Sequence, residues 1–149
     1  MTTEEIIEKI LSRDTHKVWE ASIKIISLGQ LRDNILPLIP HLQTIVEKTK
    51  GLDMGGAFAP NQRFIDYAIK TIEFHRDHNE CACNLYLGPD SVTPDPNREV
   101  RSGHVNILDT TFMEGNWVDF YKVQCVRCEQ LYKVIEREGH FKWWGWTKW

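Results

Sequence analysis

The fold of the second half of the chain is decided by residues 117–136, which read WVDFYKVQCVRCEQLYKVIE. Aromatic and β-branched residues, which favour strands, fill both ends of this stretch, at residues 117–124 and 131–136. Between the two ends lie Cys125 and Cys128, separated by two residues. The pattern predicts a β-hairpin that carries a pair of cysteines at its tip.

The cysteines fall into two pairs, Cys81/Cys83 and Cys125/Cys128. Zn²⁺ favours tetrahedral sets of thiolate and imidazole ligands, and the C-x2-C spacing of the second pair is that of a zinc knuckle. The C-x-C spacing of the first pair is tighter and less common. Four buried cysteines, or two disulfides that run between the pairs, are the alternatives. We expect one bound Zn²⁺ ion, whose four sulfur ligands lie within about 4 Å of one another.

Two histidines precede the first cysteine pair. His75 and His78 are one helical turn apart, and His78 lies three residues before Cys81. Either imidazole could replace a cysteine as a metal ligand. Alternatively, both are polar residues at the end of a helix, where a cationic imidazole suits the helix dipole.

The first part of the chain has the apolar spacing of amphipathic helices. Four helical segments are predicted, with Thr2 as a cap of the first, Gly29 as the end of the second and Asn61 as a cap of the fourth. Pro37 and Pro40 lie inside the third, so we expect a kink or a late start of the helix there. Residues 1–78 should form three to four packed antiparallel helices. The expected core residues are Trp19, Ile23, Ile39 and Ile69.

The pattern changes near residue 79, where turn residues and short strand-like segments begin. Strands are predicted at residues 83–87 and 105–108, and turns at residues 88–90 and 94–97. The sequence therefore predicts an α+β protein, with a helical module at residues 1–78 and a zinc-binding, β-rich antiparallel module at residues 79–149.

Composition limits the classes of function. The chain has 42% hydrophobic and 26% charged residues, typical of a globular protein, and a net charge of -3. Mild acidity argues against nucleic acid as the partner, because phosphate binding needs a basic footprint. The sequence has neither the pattern of a signal peptide nor an apolar run of about 20 residues. We expect a cytoplasmic location, where thiols stay reduced, and no membrane partner.

A catalytic site is not expected. A zinc ion held by four cysteines has no open position for a water molecule or a substrate. The remaining candidate is an enzyme that pairs His140 with Glu136 or Glu138, but no nucleophile motif accompanies this pair. Tryptophan is enriched at binding hot spots, so Trp143, Trp144 and Trp146 are the predicted partner-binding residues. Packing in a small β-core is the alternative role for them.

Three resemblances extend this interpretation. Residues 36–42, LPLIPHL, resemble part of a HEAT-type helical hairpin. The pattern Tyr121-x-Val123-x-Cys125-x2-Cys128 resembles half of a zinc ribbon, with Glu129 where a glycine often follows. In size, layout and acidity, the chain resembles the bacterial immunity proteins of polymorphic toxin systems, including contact-dependent growth inhibition.

The last resemblance implies a non-enzymatic protein that neutralises a toxin domain by occlusion, so that its partner is a protein. The alternative is a zinc-ribbon protein that binds nucleic acid or takes part in transcription. That alternative requires basic residues to collect on one face of the molecule.

Overall fold

The structure is a computed structural model that describes residues 1–89 and 91–149. The fold is α+β, and the described residues form six α-helices and a four-stranded antiparallel sheet. Contacts divide the chain into a helical unit, Met1–Leu85, and a sheet unit, Tyr86–Trp149. The division into domains after residue 78 stays a prediction. The turn predicted at residues 88–90 includes Asp90, which lies outside the described residues.

The first two helices begin at side-chain caps, whereas Asn61, the predicted cap of the fourth helical segment, makes no capping hydrogen bond at the start of its helix. Asp14 caps the second helix by accepting a hydrogen bond from Lys17 N at 3.1 Å, and Thr2 caps the first in the same way. The predicted kink is confirmed, because residues 36–41, with Pro37 and Pro40, form a 3₁₀ segment between two α-helices. None of the described helices is long and apolar enough to cross a bilayer. The α-helices are α1 Thr3–Ile10, α2 Thr15–Ser27, α3 Arg32–Ile35, α4 Leu42–Thr49, α5 Gln62–Asp77 and α6 Pro96–Arg101.

The core of the helical unit is aliphatic. Its buried members are Ile6, Ile10, Val18, Ala21, Ile25, Ile35, Leu38, Leu42, Ile45, Ile65, Ala68 and Ile72. On α2, Val18, Ala21 and Ile25 follow the three- and four-residue spacing of one helix face. Helix α2 contacts both α1 and α5, and the buried aliphatic side chains come from all five helices α1–α5 and from the 3₁₀ segment between α3 and α4.

The four predicted core residues are not at the centre of this core. Trp19 is 37% exposed, and Ile23, Ile39 and Ile69 are only half-buried. Ile39 and Ile69 pack against the edge of the aliphatic cluster. The prediction was wrong because several neighbouring positions on each helix are apolar, and periodicity alone does not fix the centre of so broad a face.

The sheet is a meander in which neighbouring strands are consecutive in the chain. Cys125 lies opposite Val105, Phe120 opposite Ile135 and Val134 opposite Trp146. This register places Tyr121, Val123, Tyr132, Val134 and Trp146 on the buried face. The strands are β1 Val105–Phe112, β2 Val118–Cys125, β3 Leu131–Glu138 and β4 Lys142–Lys148.

Two segments before the sheet differ from the prediction. The strand predicted at residues 83–87 is wrong, since Ala82–Leu87 forms a 3₁₀ helix. Its carbonyl groups at Ala82 and Leu85 accept hydrogen bonds from side chains instead of a neighbouring strand. Helix α6 was not predicted, although Asp95 caps it and Pro96 stands at its first turn.

The core of the sheet unit is aromatic and carries a buried carboxylate. The Tyr86 ring stacks on Trp146, with 4.1 Å between ring centroids, and meets Tyr132 edge-on. The Tyr86 hydroxyl donates a hydrogen bond of 2.7 Å to buried Glu99. Burial, followed by the charge of Glu99, raises the pKa of Tyr86 far above its ordinary value.

Candidate metal centre

Cys81 and Cys83 lie at the start of the 3₁₀ helix Ala82–Leu87. The backbone N–H of Asn84 donates to the Cys81 carbonyl at 3.1 Å, and its side-chain amide donates to the same oxygen at 2.9 Å. Between the two cysteines, the Ala82 carbonyl accepts a 2.9 Å hydrogen bond from the buried side chain of Gln30. These hydrogen bonds hold the backbone carbonyls of Cys81 and Ala82.

Cys125 and Cys128 lie at the tip of the hairpin formed by β2 and β3, as predicted. The turn closes through hydrogen bonds from Glu129 N to the Cys125 carbonyl, 3.0 Å, and from Cys125 N to the Gln130 carbonyl, 2.9 Å. Glu129 has a φ of 65°, in the left-handed region that glycine adopts most easily. This is the position at which many zinc ribbons have a glycine.

The two pairs converge, although the sequence separates them widely. The sulfur atoms of Cys81, Cys83, Cys125 and Cys128 all lie within 4.8 Å of one another. Tetrahedral zinc with Zn–S bonds of about 2.3 Å places its sulfur ligands about 3.8 Å apart, a spacing that falls within the observed limit of 4.8 Å. The separation is slightly wider than the predicted 4 Å. The cluster is compatible with a metal ion.

Burial is uneven across the cluster. Cys83 and Cys125 are buried, Cys81 is half-buried and Cys128 is exposed. Two of the four cysteines are therefore packed among other side chains, and Cys128 is accessible to solvent. An arrangement of this kind lets a metal ion enter, since a binding site needs a path from solvent.

The two histidines that could replace a cysteine are engaged elsewhere. His75 is buried, and its Nε2 lies 2.7 Å from the Gly29 carbonyl oxygen. Its Nδ1 lies 3.3 Å from a guanidinium nitrogen of Arg32, which can only donate. Both ring nitrogens of His75 are therefore occupied by contacts inside the helical unit. Nδ1 of His78 lies 3.5 Å from the Glu80 carboxylate.

The predicted partner-binding tryptophans lie in different environments. Trp146 is 3% exposed and its Nε1 donates to the Pro94 carbonyl at 3.0 Å, while Trp143 and Trp144 are half-buried. Sequence reasoning did not select Trp117 and Trp149, which are 60% and 56% exposed. Trp117 lies well before the other C-terminal tryptophans at residues 143–149, and this separation was the available signal for it. Whether any of these residues contacts a partner stays a prediction.

Glu136, the carboxylate considered with His140, takes part in a hydrogen-bond network. It accepts from the Tyr121 hydroxyl at 3.1 Å and from Trp144 Nε1 at 2.9 Å. These contacts hold the carboxylate against the aromatic side chains of the sheet. A cavity of about 410 Å³ lies beside it. The cavity is lined by Met113, Trp117, Val118, Glu136, Arg137, Glu138 and Lys142.

Comparisons of the chain with protein-family models, with curated proteins and with solved structures found no match. Among the residues described, the four-cysteine cluster is the site with the most definite chemistry. Thiolates are soft ligands, and an all-sulfur tetrahedral set is typical of zinc and of iron–sulfur centres.

Proposed function

We propose that Cys81, Cys83, Cys125 and Cys128 bind one structural Zn²⁺ ion. The observation that carries this proposal is the approach of all four sulfur atoms to within 4.8 Å. Zn²⁺ bound by four thiolates is coordinatively closed, so it supplies folding free energy and leaves no position for catalysis. The hairpin of β2 and β3 then corresponds to half of a zinc ribbon.

The protein acts, in this proposal, as a cytoplasmic, non-enzymatic module that binds another protein. Large aromatic side chains are exposed in both units, at Phe58 and Trp117. Side chains of this kind, above all tryptophan, commonly anchor protein interfaces. In its most concrete form, the module is an immunity protein with HEAT-like hairpins that neutralises a toxin domain by occlusion.

Metal analysis tests the first part of the proposal. Protein purified without chelators should contain close to one zinc per chain, and Cys125→Ser should lower that content sharply. Val126→Ala is the matched control, because Val126 lies in the same turn and is 50% exposed. A folded protein whose zinc content is at background, or one that carries iron instead, would contradict a structural zinc ion.

Growth protection tests the second part. If a toxin domain is encoded beside this gene, co-expression of the protein with that domain should restore growth. Trp117→Ala should weaken the protection if this exposed side chain anchors the interface. His140→Ala should leave it unchanged, since occlusion needs no proton transfer. Turnover of a substrate by the purified protein, abolished by His140→Ala, would favour an enzyme instead.

A further inference from the structure

One face of the sheet carries cations and aromatic rings together. Side chains alternate between the two faces of a strand, so the neighbours of the buried residues on β2, β3 and β4 point the opposite way. The backbone N–H of Trp149 donates to the Leu131 carbonyl at 2.9 Å, so Trp149 continues the pairing of β4 with β3. We call this surface the outer face. It consists of Phe120, Lys122, Gln124, Leu131, Lys133, Ile135, Arg137, Trp143, Thr147 and Trp149.

The charged residues of the outer face are all cationic, although the net charge of the protein is -3. They are Lys122, Lys133 and Arg137. Arg137 is held by the Asp119 carboxylate at 2.9 Å. On the adjoining strand β1, Asp109 lies opposite Lys122 in the register. Asp119 and Asp109 therefore offset part of the positive charge of Arg137 and Lys122, whereas Lys133 lies opposite Lys122 and Thr147 in the register.

The two lysines lie over aromatic rings. Lys122 Nζ is 4.7 Å from the ring centroid of Trp149, and Lys133 Nζ is 4.5 Å from that of Phe120. The Phe120 and Trp149 rings are themselves 6.1 Å apart. Each ammonium group gains a cation–π contact, and each ring keeps part of its surface toward solvent. Positive charge and flat apolar surface thus alternate over a short distance.

We propose that the outer face binds single-stranded nucleic acid. In this arrangement, bases stack on Phe120 and Trp149, and the flexible side chains of Lys122 and Lys133 turn from the rings to the phosphates. This binding goes beyond the protein partner proposed above.

The combination of groups favours this ligand over an acidic protein segment. An acidic segment would satisfy the lysines but would offer few planar groups to the rings. A duplex would offer phosphates, but its bases already stack on one another. A single strand supplies both phosphates and exposed base faces, and every base has a π-face, so recognition would be tolerant of sequence.

Fluorescence anisotropy with a labelled oligothymidine tests the proposal. Binding should weaken as salt rises, with a log–log slope of about −0.7 for each phosphate contacted. Lys122→Gln and Lys133→Gln should each reduce the slope by about that amount. Trp149→Ala should weaken binding about tenfold without changing the slope, and Trp149→Phe should recover much of the loss.

Lys70→Gln is the matched control, because Lys70 is an exposed lysine on α5. It should leave both affinity and slope unchanged, and circular dichroism should show that every variant is folded. Absence of binding at low salt, or an equal effect of Lys70→Gln and Lys133→Gln, would overturn the proposal. So would equal competition by polyglutamate with no effect of Trp149→Ala, because the face would then recognise acidic protein segments.

Discussion

The helical unit and the sheet unit bury their side chains by different means. In the helical unit, aliphatic side chains such as Ile10, Ile25 and Ile72 fill the core at 0% exposure. In the sheet unit, large aromatic side chains fill the core, and their polar ends bond to partners such as Glu99. Stability in the first unit should therefore follow buried apolar area, while in the second it should depend on individual polar atoms.

The two units also differ in size. The sheet unit is the smaller of the two, and small domains seldom gain enough stability from apolar burial alone. A structural metal ion is one of the usual ways in which such domains become stable. If the proposed zinc ion is bound, the comparison predicts that the two units respond differently to its removal.

The largest expected effect is that of metal removal. Binding of structural zinc contributes about 10–16 kcal/mol in small zinc domains, so a strong chelator should unfold the sheet unit. Cys81 and Cys83 belong to the helical unit, but none of the aliphatic core residues belongs to the cysteine cluster, so this core should persist. Hydrogen exchange read by mass spectrometry would locate the loss. Equal loss of protection throughout α1, α2 and α5 would contradict the comparison.

The next largest effect is expected at Trp146. This side chain is 3% exposed and stacks on Tyr86, so Trp146→Ala should lower the free energy of unfolding by about 3–5 kcal/mol. Trp117→Ala is the control, because Trp117 is 60% exposed and its loss should change stability by about 0.5 kcal/mol or less. Urea unfolding of the metal-loaded protein measures both. Similar values for the two variants would mean that the aromatic core contributes little.

Two small deletions, one in each unit, compare the stability gained from a polar bond with that gained from apolar packing. Tyr86→Phe keeps the stacked ring but leaves Glu99 without its 2.7 Å donor, so it should cost about 1–3 kcal/mol. In the helical unit, Ile72→Val also removes a small group and should cost about 0.5–1.5 kcal/mol. Urea unfolding compares the two variants. A smaller loss for Tyr86→Phe than for Ile72→Val would show that the polar bond contributes little to stability.

The raised pKa of Tyr86, which donates to Glu99, predicts how the free energy of unfolding changes with pH. Because burial raises the pKa of Tyr86, the folded protein keeps this phenol protonated, while the unfolded chain ionises it above a pH of about 10. Stability from this group is therefore present below pH 10 and is lost as the pH rises further. Tyr86→Phe should weaken the alkaline loss of stability in urea unfolding.

The parts of the fold that the sequence predicted depend on neighbouring residues. Thr2 accepts a hydrogen bond from a residue three positions ahead, and the hairpin of β2 and β3 surrounds its own cysteine pair. The shared preference of four thiols for one ion predicted their convergence, because ligand chemistry connects segments that are distant in sequence.

The parts that were missed depend on distant contacts. The 3₁₀ helix Ala82–Leu87 has its conformation fixed by Gln30, 52 residues from Ala82, and by Tyr67, 18 residues from Leu85. The outer face needs the strand register, since only pairing brings Lys133 beside Phe120. Periodicity gives the type of an element, but it does not give the partner of each side chain.

The smallest expected effect is that of replacing a residue with a left-handed backbone by glycine. One such residue lies in each unit: Glu129 in the sheet unit, with a φ of 65°, and Arg13 in the helical unit, with a φ of 58°. A non-glycine residue there costs about 1–2 kcal/mol, while glycine costs about 0.5–1 kcal/mol through the unfolded chain. The Glu129 side chain is exposed, so Glu129→Gly should raise the free energy of unfolding by about 0.5 kcal/mol.

Arg13→Gly should instead lower the free energy of unfolding. The Arg13 guanidinium donates to the carbonyls of Lys48 and Lys50, at 3.0 and 3.3 Å, where helix α4 ends. Its removal leaves these carbonyls to solvent, and the lost bonds, about 0.5–1.5 kcal/mol each, exceed the relief of backbone strain. Urea unfolding of both variants in excess zinc measures the contrast. If Glu129→Gly proved the more destabilising of the two, the Glu129 side chain would stabilise the turn by more than the strain of its backbone.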